Sequence, residues 1–110
     1  MYVEDFARAA EPTAEEAEML RVKVQCPGLP TPGEYEAQLH AAGFDDVFIS
    51  DVTREWRVFT TARLEQFRAA RERNIAVHGQ DLVDGLDDFY ATIVRLFDGG
   101  VVGGVTILAR

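Results

Sequence analysis

The sequence predicts an α/β fold whose sheet is incomplete. Three observations lead there. Two runs, Val47–Val52 and Val101–Ala109, are rich in β-branched and apolar residues. The segments before and between them have apolar residues at helical spacing. Pro27-Gly28-Leu29-Pro30, Gly43 and Asp98-Gly99-Gly100 punctuate the boundaries. The result is two strands and about four helices. No repeat, linker or low-complexity tract interrupts residues 1–110, which read as a single domain.

The first helix, about Ala14 to Val24, follows Thr13 with Glu16 three residues on, the spacing of a capping box. Thr31-Pro32-Gly33-Glu34 repeats that pattern with proline at the first helical position, where its missing donor costs nothing. This second helix presents Tyr35 and Leu39 one turn apart and ends at Gly43, with Phe44 placed to fold back on Leu39. In the strand Val47–Val52, Phe48, Ser50 and Val52 share one face, and Val47, Ile49 and Asp51 the other.

From about Arg54 to Ala76 the period becomes helical, with Trp56, Phe59, Arg63, Phe67 and Ala70 three or four apart. The helix from about Gln80 to Leu96 has an apolar face wide enough to contact more than one neighbour. Val101–Ala109 is then the second strand. Two strands alone are marginal in water, and their open edges attract further chains. Either copies of this chain pair with each other, or a larger sheet is contributed elsewhere.

An apolar share of 47% and a charged share of 27% are those of a globular domain. No apolar run approaches the roughly 20 residues of a membrane span. The amino terminus lacks the basic flank and apolar stretch of a secretory signal, so a cytoplasmic location is expected. A net charge of −8 argues against nucleic acid and membrane surfaces as partners. The basic cluster from Arg63 to Arg73 is interrupted by Glu65 and Glu72 and reads as a solvated helix face. Cys26 is the one cysteine, and His40 and His78 have no ligand spacing, so neither a disulfide nor a metal site is expected.

Five stretches occur in a recognisable order: Leu29-Pro30-Thr31-Pro32 with Tyr35, Ala42-Gly43-Phe44, Asp51-Val52-Thr53, Leu64-Glu65, and Phe97-Asp98-Gly99-Gly100. Together they resemble the closing half of class I S-adenosylmethionine-dependent methyltransferases. The likeness is greatest to the glycine, sarcosine and dimethylglycine N-methyltransferases and looser to the cyclopropane fatty-acid synthases. The resemblance implies a Rossmann-like sheet in which Val47–Val52 and Val101–Ala109 are strands six and seven, an antiparallel edge pair. The helices between them would form a lid over a small-molecule methyl acceptor.

Strands one to five, with the glycine-rich turn and ribose-binding acid that hold the cofactor, have no counterpart. Asp98 to Gly104 is glycine-rich, but its order is helix, glycines, strand, the reverse of a ligand-cradling turn. The resemblance therefore implies the carboxy-terminal, substrate-lid component of a split methyltransferase. S-adenosylmethionine would be bound mainly by a partner chain, the amino-terminal half carrying the glycine-rich motif, in a heterodimer. The rival reading is a non-enzymatic homodimer that uses the same fold as a small-molecule or protein binding module.

On this reading Trp56, Phe59 and Phe67 line the acceptor pocket, although core packing also explains an aromatic stripe. Arg63, between Phe59 and Phe67, is suited to a substrate carboxylate, to an acidic residue of the partner, or to reaching water past its own stem. Tyr90, beside Phe89 on the second lid helix, has a phenol able to orient an acceptor. Tyr2 and Phe6 fall just after the position of strand five, where acceptor-facing residues occur. No catalytic residue is identifiable beyond His78, a turn histidine able to act as a base near neutral pH. Phe59-Thr60 stands where the related N-methyltransferases often have a polar aromatic pair. A greasier acceptor, such as a polyketide, terpenoid or alkaloid-like natural-product intermediate, fits that lid better than a small amine.

Overall fold

The helix ends follow the capping chemistry closely in this computed structural model, which describes all 110 residues. Thr13 Oγ1 accepts from the Glu16 amide at 3.1 Å, and the Glu16 carboxylate accepts from the Thr13 amide at 3.0 Å. This starts α1 (Ala14–Val22). Thr31 likewise accepts from the Glu34 amide and starts α2 (Pro32–Ala41). Here the box is half made, because the Glu34 side chain turns away to meet Arg8 at 3.1 Å. Gly43, at φ 106°, closes α2: its amide donates to His40 O, and Phe44 N donates to Leu39 O. Phe44 thereby packs in the cluster that contains Leu39, as its position predicts.

Three strands form, one more than the sequence pattern indicates. β1 (Tyr2–Arg8) precedes α1, and β2 (Val47–Asp51) follows α2. Then come α3 (Thr53–Ala69), α4 (Arg71–His78), α5 (Gln80–Asp98) and β3 (Val102–Ala109). The sheet order is β1-β3-β2, with β3 antiparallel to both neighbours. Tyr2 and Phe6 therefore lie within a strand and not in a segment following one. Glu4 and Asp5 conceal it, since acidic residues are poor strand formers and break the apolar alternation. The pairing comes from the other end of the chain, Tyr2 opposite Leu108 and Phe6 opposite Gly104.

The single helix expected from Arg54 to Ala76 is two helices. Ala70, at φ −100° and ψ 16°, leaves helical geometry, and α3 and α4 pack in turn along α5. No proline or glycine marks the break.

The central strand is covered on both faces. On one, α2 closes a cluster of Ala7, Leu39, Val105, Ile107 and Ala109. On the other, α1, α5 and the Leu29 loop enclose Val101 and Val102 with Leu20, Ile93, Leu96 and Phe97. The second cover stops short of the far end of the strands. There Tyr2, Leu108 and Phe48 stand side by side, 63%, 37% and 58% exposed. No helix is long and apolar enough to cross a membrane.

Candidate functional site

Because β1 and β2 both run antiparallel to β3, their carboxyl ends, Arg8 and Asp51, lie at the same side of the sheet. Ligands of open α/β sheets collect outside such ends. It is here that α3 departs. Its first amide, Thr53 N, donates to Asp51 Oδ1 at 2.8 Å, and Thr53 Oγ1 donates to the same oxygen at 2.5 Å. The Gly104 amide in turn donates to Thr53 Oγ1 at 3.2 Å, tying the helix start to the central strand. These hydroxyl and amide donors hold the Asp51 carboxyl below the usual carboxylate range.

One turn on, Trp56 lies flat over Gly104, where a Cβ would come within 2.5 Å of the indole. Glycine in mid-strand is the sequence signal for such an approach. The indole meets Phe6 edge to face at 5.5 Å, and Phe6 in turn meets Phe97 at 5.9 Å. Phe6, Trp56, Phe59 and Thr60 line an open groove of about 500 Å³. Glu4, Glu55 and Arg63 complete its lining.

Arg63 is half-buried. Its Cζ lies 4.3 Å from the Tyr90 ring centre and 5.7 Å from that of Phe59. Tyr90 is fixed from behind by Phe67, edge to face at 5.2 Å. The stripe along α3 thus divides: Trp56, Phe59 and Arg63 face the groove, while Phe67 and Tyr90 buttress the arginine.

The other expected residues are placed elsewhere. Phe89 packs against the core cluster of Leu20, Ile93 and Phe97. Tyr2, on the same face of β1 as Phe6, lies at the opposite end of the strand and donates to Glu4 at 3.2 Å. His78 is exposed at the tip of α4, remote in the chain from the groove residues. Glu4, Glu55 and Thr60 belong to the groove but carry no sequence signal of their own. Gly99 and Gly100 end α5, Gly100 at φ 79° with its amide donating to Phe97 O. Gly103 and Gly104 are covered by Thr53 and Trp56. The glycine-rich stretch is therefore filled by the chain itself, and these residues make no cradle for a nucleotide cofactor.

No protein-family model matches the sequence, and no curated protein is similar to it in sequence. Solved structures do share its fold. A phosphoethanolamine N-methyltransferase 2 of Haemonchus contortus, bound to phosphomonomethylethanolamine and S-adenosylhomocysteine, superposes with a TM-score of 0.83 at 15% identity. The match covers 98% of this chain and 25% of that one. The cyclopropane synthase MmaA2 of Mycobacterium tuberculosis gives 0.78 at 14% identity over 99% of this chain and 43% of its own. The mycolic acid cyclopropane synthase CmaA1, complexed with S-adenosylhomocysteine, gives 0.79 at 11% identity, covering 100% and 44%. This chain spans less than half of each of these methyltransferases, and what it shares with them is the fold of a segment of a methyltransferase.

Proposed function

We propose that this chain is the substrate-lid component of a split S-adenosylmethionine-dependent methyltransferase acting on a small molecule, with the cofactor held mainly by a partner chain. The observation that carries the reading is the open edge of β1 in a segment of methyltransferase fold that lacks a cofactor cradle. Arg8 N donates outward to Pro30 O, whereas Ala9 N donates inward to Val101 O. By strand alternation the Glu4 amide also points to the open side, where a further strand of the complete sheet would pair, while the Phe6 amide on that side donates to Asp5 Oδ1 at 2.8 Å.

In this reading β1 occupies the place of strand five, so the partner supplies four strands and the methyl donor. The chain's own residues bind and orient. Phe6, Trp56 and Phe59 hold the acceptor's apolar body at the carboxyl ends of the strands and exclude water, and Arg63 fixes one end of it. Placement of this kind accounts for much of the rate in a transfer that needs no covalent enzyme intermediate.

The test is assembly. The chain is expected to bind no S-adenosylmethionine alone. Co-expressed with a neighbouring reading frame that encodes a glycine-rich strand-to-helix turn, it should form a heterodimer that binds the cofactor and transfers its methyl group. A stable, monodisperse homodimer indifferent to every such partner would favour the binding-module reading and sink this one.

A further inference from the structure

Among all buried side-chain nitrogens and oxygens of the molecule, Arg63 Nε alone has no hydrogen-bond partner. Nor does Arg63 enter an ion pair, whereas Arg8, Arg57, Arg68, Arg71 and Arg95 each meet a carboxylate. Stacking on Tyr90 and Phe59 fixes the plane of its guanidinium without satisfying any N–H. A donor withdrawn from water and left unpaired is costly, more so when charged. Its place in the lining of an aromatic groove supplies the reason to keep it.

We propose that Arg63 is the anion anchor of this groove, and that the ligand is a monocarboxylate with an apolar body. The carboxylate meets the Nη nitrogens in the observed rotamer, and a small rotation presents Nε and Nη together as a bidentate fork. The apolar body lies along Phe6 and Trp56. Glu4 and Glu55 on the walls repel a second acidic group, which restricts the ligand to one negative charge placed at the arginine. The inference names the acceptor class of the proposed enzyme, and rests on that reading for the groove's role.

The test uses the full chain alone, titrated with 3-phenylpropanoate, its amide and 3-phenylpropylamine, while the Arg Nε–Hε resonances are followed by NMR. The acid should bind at least about tenfold more tightly than the amide. The Arg63 resonance should move downfield with the acid only. Arg63→Gln should abolish the preference and retain amide binding, and Arg63→Lys should restore part of it. An amide or amine that binds as tightly as the acid overturns the proposal, as does an acid preference that survives Arg63→Gln. Failure of all three probes to bind also overturns it. Assembly and cofactor binding, on which the split-enzyme reading stands, are not measured by this titration, so the two can fail separately.

Discussion

Gly104 sets how closely α3 approaches the sheet, since the Trp56 indole occupies the space a side chain would need. Gly104→Ala forces the indole or the start of α3 to move, an overpacking that costs about 1–3 kcal/mol. Trp56 is the single tryptophan, so its fluorescence reports both the displacement and the lowered urea midpoint. Asp51 acts one residue from the same junction. Its carboxyl is held below its ordinary value of 3.8 by the Thr53 hydroxyl and amide, so the folded state favours the ionised form. That contribution is complete above the ordinary carboxylate range and is lost as pH falls through and below it. Asp51→Asn should therefore lower the urea midpoint at neutral pH, with the difference from wild type shrinking as the pH falls below the ordinary carboxylate range. Both glycine and arginine were legible in the sequence, one as a gap in an apolar strand, the other as a charge inside an apolar stripe. The Asp51–Thr53–Gly104 link was not, because it joins residues 51 positions apart through one hydroxyl.

Around the α3–α4 junction, exposed ion pairs add to the packing of Phe67 on Tyr90. Arg68 meets Asp87 through two bonds, 2.9 and 3.0 Å, and Arg71 pairs with Asp84, all between the α3–α4 junction and α5. Arg68 holds the Asp87 carboxyl below its usual range. These pairs are solvent-facing, and α4 itself buries no residue completely, so each pair is weak and is screened by salt. Arg68→Gln should raise amide exchange in α4 at low ionic strength, and near 1 M salt the exchange of variant and wild type should converge. Helix starts and stops were readable because capping is local: Thr13, Thr31, Gly43 and Gly99-Gly100 act on neighbours within a few residues. The break at Ala70 and the strand Tyr2–Arg8 were not readable, because each depends on what packs against it from elsewhere in the chain.

At the scale of the whole molecule, shape carries the argument. The radius of gyration is 16.0 Å, against roughly 13 Å for a compact domain of this length. Its accessible surface is 6894 Å², whereas a folded monomer of 12.2 kDa exposes about 6,100 Å². The excess, roughly 800 Å², reflects an extended shape with principal-axis extents of 50 × 30 × 22 Å. The open surfaces include the edges of β1 and β2 and the strip of Tyr2, Leu108 and Phe48. Proline at Glu4 separates the first from the others. The Glu4 amide points away from β3, so Glu4→Pro removes a donor needed only by an added strand and leaves the β1–β3 bonds in place. The variant should keep the thermal midpoint of the isolated chain within a few degrees and weaken assembly with a cofactor-binding partner at least about tenfold, as read by sedimentation. Val3→Pro is the control, since its amide points inward by the same alternation and its loss should destabilise the chain on its own. If Glu4→Pro assembles as well as wild type, the partner does not extend the sheet through β1 and docks on another exposed surface, such as the β2 edge or the aromatic strip.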